Sequence, residues 1–82
     1  MMADYRIEIP HFHCLNYYEA DRVMRIDVDF RDPIIYLSAD LIEKWLPPNE
    51  NISITKKDQD RILKNIYGEL LKNNSKKRIV LE

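Results

Sequence analysis

Glycine is almost absent from this chain: Gly68 is the only one in 82 residues. That excludes the glycine-rich loops that cradle phosphates. Cysteine is equally scarce. Cys14 stands alone, so no intrachain disulfide can form, which fits a reducing cytoplasm. No apolar run approaches the ~20 residues that span a bilayer. The opening MMADYRIEIP has no cationic head followed by an apolar stretch, so no signal peptide is expected. Histidine occurs twice, at His11 and His13, beside Cys14. On a strand the two imidazoles share a face and the thiol points away. A zinc site wants three or four ligands, and no other His or Cys exists to complete one. Neither a metal nor a cofactor is expected.

What is present suits a folded soluble protein. The chain is 45% hydrophobic and 33% charged. Its length suits one domain over residues 1–82, with Leu81-Glu82 read as a cloning scar. The net charge of −1 hides an asymmetry. Residues 1–50 hold ten acids against five bases, and residues 51–82 hold eight bases against four acids.

Tyr5 to Ile9 alternates, with Tyr5, Ile7 and Ile9 on one side and Arg6 and Glu8 on the other. This is the period of a half-buried strand, and Pro10 ends it or marks an edge. Phe12 to Tyr18 reads as a second strand whose inward face is ambiguous. Leu15 and Tyr17 compete there with Phe12, Cys14 and Tyr18. Glu19 to Arg22 reads as a hairpin connection without the usual Asn-Gly signal. Val23 to Arg31 gives the clearest alternation. Met24, Ile26, Val28 and Phe30 lie on one face, and Arg25, Asp27, Asp29 and Arg31 on the other. Asp32-Pro33 is a turn, and Ile34 to Leu37 is a short apolar strand.

Ser38 suits the cap of a short helix over 39–45, with Leu41, Ile42 and Trp45 at helical spacing. Pro47 and Pro48 prevent its continuation. Thr55 then caps the main helix, with Asp58 in the capping-box position. Ile62, Leu63, Ile66, Tyr67, Leu70 and Leu71 form one stripe at i, i+3, i+4 spacing. The helix should stop near Asn73-Asn74, and Ile79 to Leu81 supply a last strand. The expected architecture is α+β. A small antiparallel sheet of four or five strands carries the long 55–73 helix and the short helix on one face.

No catalytic constellation stands out. Asp27 and Asp29 share a strand face, but Arg25 and Arg31 flank them, which resembles a salt-bridged surface more than an acid/base pair. Ser38 lacks a nucleophile elbow. A non-enzymatic protein is expected. Opposite the apolar stripe, Lys57, Arg61, Lys64 and Lys72 cluster around Gly68, a face that could neutralise phosphates. The pI near 6 argues against a nucleic-acid-binding domain. Trp45, beside Leu46-Pro47-Pro48, is the aromatic expected to be partly exposed.

Residues 35 to 71 carry a recognisable pattern. Ile35-Tyr36-Leu37-Ser38 ends a strand, Trp45-Leu46-Pro47-Pro48 follows, and Ile54-Thr55 opens a helix containing Ile62-Leu63-Lys64-Asn65-Ile66 and closing at Leu70. In this the chain resembles a family of small immunity proteins from bacterial polymorphic toxin systems, with a looser likeness in the upstream hairpin. The resemblance implies a cytoplasmic, non-catalytic inhibitor with an α+β fold and a protein partner, the cognate toxin domain. It carries over no binding residues. Charge and aromatic character nominate Glu8, Asp27, Asp29 and Trp45 for that surface. The alternatives are a nucleic-acid-binding regulator using Lys57, Arg61, Lys64 and Lys72, and a self-associating structural module. No membrane association is expected.

Overall fold

The computed structural model describes residues 4–73 and 78–81. Strands β1 (Tyr5–His11), β2 (Cys14–Glu19) and β3 (Arg22–Asp27) form an antiparallel sheet in that spatial order. β4 (Ile34–Leu37) and β5 (Arg78–Leu81) form a second, parallel pair. Between them in sequence lie a 3-10 turn at Ala39–Leu41 and the helix α1 (Lys56–Asn73). A parallel pair needs such a crossover, because its ends lie at opposite poles.

The alternations read from the sequence map onto burial. Met24, Ile26, Val28 and Phe30 are buried, while Arg25, Asp27, Asp29 and Arg31 are exposed. On β2 the ambiguity resolves for Leu15 and Tyr17, both fully buried. These residues meet Ile62, Ile66 and Leu70 of α1, together with Ile35, Leu37, Ile42 and Trp45, in one apolar core. Each fully buried large aliphatic side chain contributes about 1.5–3 kcal/mol of transfer free energy. α1 starts at a complete capping box. The Asp58 N–H donates to Thr55 Oγ1 (3.2 Å), and the Thr55 N–H donates to Asp58 Oδ2 (3.0 Å). Two otherwise unpaired helix-end donors are satisfied at once.

Four expectations need correction. The five strands do not make one antiparallel sheet; they divide into three and two, and the β4–β5 pairing is parallel. The short helix over 39–45 is a three-residue 3-10 turn. Its continuation spends its hydrogen bonds elsewhere: the Leu46 N–H donates to the Val23 carbonyl (2.7 Å), closing part of the open edge of β3. Pro47 also biases Leu46 away from helical backbone. Ile9 points outward, because the pairing register shifts between Glu8 and His11. The extra residue of such a bulge turns the side chains that follow, and Pro10 sits within it on the edge strand. Leu71, assigned to the buried stripe, is exposed beyond the core-facing arc of Ile62, Ile66 and Leu70. Asn74 and Glu82, invoked for the helix end and the terminal scar, lie outside the described residues.

Gln59 was not anticipated as structural. Its Nε2 donates to the carbonyls of Ala39 (3.3 Å) and Ile42 (3.1 Å), tying the first turns of α1 to the 3-10 segment. The β2–β3 connection holds Ala20 at φ 56, a left-handed conformation that alanine rarely adopts.

Candidate functional site

The outer face of the three-stranded sheet is ordered in cross-strand rows. Arg6, Tyr18 and Val23 form one row; Glu8, Asn16 and Arg25 the next; His11, Cys14 and Asp27 the last. Residues directly opposite on one face interact most strongly. The Arg6 guanidinium lies 4.0 Å over the Tyr18 ring and its Nη1 is 3.0 Å from Glu8 Oε2. The Tyr18 hydroxyl donates to Glu8 Oε1 at 2.6 Å. That hydrogen bond, followed by Arg6, holds the Glu8 carboxyl below its usual range. The same hydrogen bond raises the Tyr18 hydroxyl, against a smaller opposing effect of Arg6. Asp29 accepts from the Arg31 backbone N–H (2.9 Å), Nε (3.3 Å) and Nη2 (3.2 Å), which also lowers its carboxyl. Both ion pairs are solvated and add little stability.

Of the three nominated carboxylates, Asp27 alone has no hydrogen-bond or ion-pair partner among the described residues. It stands at a cleft of about 150 Å³ shared with Arg25, Leu41, Glu43, Lys44 and Leu46. That is well below the roughly 300 Å³ where small-molecule sites begin. The face is therefore a mosaic of acids and arginines rather than an acidic field. The expectation of partial exposure at Trp45 is corrected: the indole is 1% exposed. It packs 6.4 Å from the Tyr17 ring, with the Arg22 guanidinium 5.6 Å over it. The area it buries is what a thin core needs.

The basic helix face is also distributed differently from its wheel projection. Arg61 forks onto Glu19, through Nη2 to Oε1 (2.7 Å) and Nε to Oε2 (3.2 Å), and its Nη1 reaches Asp58 Oδ1 (2.7 Å). Glu19 also accepts from the Tyr17 hydroxyl (2.6 Å), which in turn accepts from Asn65 Nδ2 (2.9 Å). Burial, with the Glu19 hydrogen bond, pushes the Tyr17 hydroxyl far up, so it stays protonated. This chain of polar groups stitches α1 to β2. Lys72 lies 3.6 Å from Glu69. Lys57 and Lys64 are exposed and have no partner among the described residues. The i, i+3 spacing of Asp58 and Arg61 was visible in the sequence; the long reach to Glu19 was not.

The β1–β2 hairpin tip went unremarked as a site. Phe12 is 66% exposed there, and Ile9 is exposed nearby. Its flanking imidazoles, His11 and His13, have ring centroids 6.3 Å apart. Cys14 is buried, with Sγ 3.8 Å from Asn16 Oδ1. Among the described residues, no group of three or more His, Cys, Asp or Glu could hold a metal ion. No described helix is long and apolar enough to cross a membrane.

The described residues, five short strands and one helix with their conspicuous polar groups arrayed on surfaces, make a small α+β domain. The particular family follows from comparison with known families. Residues 15–80 match Immunity protein 74, and the chain belongs to that family. Neither a curated protein nor a solved structure matches it.

Proposed function

We propose that this protein binds a cognate bacterial toxin domain in the cytoplasm and neutralises it by occlusion, without catalysis of its own. Membership of an immunity-protein family carries the reading. Occlusion needs a complementary surface rather than a reactive group, and the outer sheet face supplies polar side chains already held in place. Glu8 and Asp29 are oriented by Arg6, Tyr18 and Arg31, while Asp27 is free to meet a cation on the partner. The nucleic-acid reading loses support, because Arg61 is engaged by Glu19 and Asp58, and Lys72 lies beside Glu69. Two remaining lysines would release few counterions from a phosphate backbone.

The test is co-expression with the C-terminal domain encoded beside this gene. The expected result is survival of the host and a stable complex on purification. Toxicity with neither rescue nor binding would overturn the reading for that pair. Within a complex, Asp27→Lys is expected to weaken binding and flatten its salt dependence, since a freely accessible carboxylate steers a basic partner. Unchanged affinity and salt slope would remove Asp27 from the interface.

A further inference from the structure

We propose that the β1–β2 hairpin tip is a binding anchor of this protein, with Phe12 entering an apolar pocket on the toxin domain and Ile9 packing beside it. The inference rests on the toxin-binding reading and assigns that reading a second, apolar contact alongside Asp27.

Phe12 is the most exposed large hydrophobic side chain described in the molecule. Single exposed apolar residues are ordinary, so exposure alone decides nothing. What sets this one apart is that its backbone is fixed. The Phe12 carbonyl accepts from the Phe30 N–H at 2.8 Å, and the His13 carbonyl accepts from the Val28 N–H at 3.3 Å. Val28 and Phe30 have their own side chains in the core, so the tip is fastened to buried residues. Across the tip, the His13 N–H donates to His11 Nδ1 at 3.4 Å. An aromatic ring presented on a held backbone loses little further freedom on docking, which is the economy of a preorganised anchor. Aromatic residues filling a partner's pocket dominate interface energetics.

One further observation favours a toxin as the occupant. The tip adjoins a carboxylate with no partner among the described residues: His11, Cys14 and Asp27 are cross-strand partners in one row. The matching partner surface is an apolar pocket with a cation on its rim.

The experiment uses the full chain and the toxin domain encoded beside it. Binding is compared for the wild type, Phe12→Ala, Phe12→Trp and Lys64→Ala, the last a substitution on the far helix. Thermal unfolding of each is measured in parallel. Phe12→Ala is expected to raise Kd about 30-fold or more with an unchanged melting midpoint, as a central hot spot does. Phe12→Trp should retain most of the affinity, and Lys64→Ala all of it. A Phe12→Ala effect below about 3-fold in an intact complex overturns the anchor and leaves the neutralising function standing. If the wild type does not bind the domain at all, both fail together. A wild-type mass that rises with concentration and falls on Phe12→Ala would assign the tip to contacts between copies. Phe12-dependent binding to phosphatidylcholine–phosphatidylglycerol vesicles would assign it to a membrane. Either result overturns the proposal.

Discussion

The two ends of β2 are chemically opposite. At its C-terminal end, Glu19 and Tyr17 are enclosed in a chain of hydrogen bonds with Arg61, Asp58 and Asn65, and every polar group has a defined partner. At its N-terminal end the strand leaves a tip where Phe12 meets water, and across from Cys14 on β3 Asp27 has no partner among the described residues. The first end joins sheet to helix and belongs to stability. The second is held rigid by backbone bonds to β3 while its side chains remain uncommitted. A small domain with a single thin core cannot spend its core aromatics on recognition. Trp45 and Tyr17 go inside, and the exposed aromatic Phe12 is placed on a turn outside the core.

Substitutions can break this contrast, beginning with the core. Trp45→Ala should cost about 3–5 kcal/mol. That is comparable to the whole stability of a domain this size, so urea denaturation should find the variant largely unfolded. The seam comes next. Glu19→Ala removes both acceptors of the Arg61 fork and the acceptor of the Tyr17 hydroxyl. About 2 kcal/mol is expected, the scale of hydrogen bonds to a charged group, read as a lower urea midpoint at unchanged slope.

A pair of small, opposite effects sharpens the picture. Gly68 lies inside α1 with nothing within 4 Å of where a Cβ would stand. Ala20 occupies a left-handed turn position that suits glycine. Gly68→Ala and Ala20→Gly should therefore each stabilise, by about 0.5–1 kcal/mol, seen as a higher melting midpoint. The capping box adds a pH signature. Asp58 is held at about 2 by the Thr55 backbone N–H first, then Arg61 and the Thr55 hydroxyl. A depressed carboxyl contributes stability above its unfolded value near 4, and that contribution is lost as pH falls from about 4 to about 2. Asp58→Asn should show a shallower fall in melting midpoint across that window than the wild type. Smallest of all on stability is Phe12→Ala, expected within about 0.5 kcal/mol of the wild type, although its effect on binding should be large.

Much of this architecture was legible in the sequence. Strict alternation over Met24 to Arg31 and the Thr55–Asp58 box are local signals; the burial pattern and the box appear as expected, although the strand expected over Val23 to Arg31 ends at Asp27. Parallel pairing of β4 with β5 was not legible. Two four-residue apolar segments carry no register information, and their direction is set by the return path through α1. The 39–45 segment misled because Ile42 and Trp45 are buried at a three-residue spacing that imitates a helix; the backbone closes one 3-10 turn there, and Leu46 just beyond it bonds to β3. At the surface, Asp27 was nominated on charge alone, and its isolation depends on where Arg25 and Arg31 reach. Arg61 looked solvent-directed on a wheel, because no periodicity reveals an acceptor 42 residues away. Phe12 was hidden by the ambiguous alternation of the aromatic run that became β2.

The most direct measurement is hydrogen–deuterium exchange on the chain, free and in complex with the neighbouring toxin domain. New protection on binding should concentrate at residues 9–13 and 25–30, with the α1 amides over 56–73 little changed beyond their protection in the free protein. Protection confined to α1 or to the β4–β5 pair, with the tip exchanging freely in the complex, would contradict the division of β2 into a structural end and a recognition end.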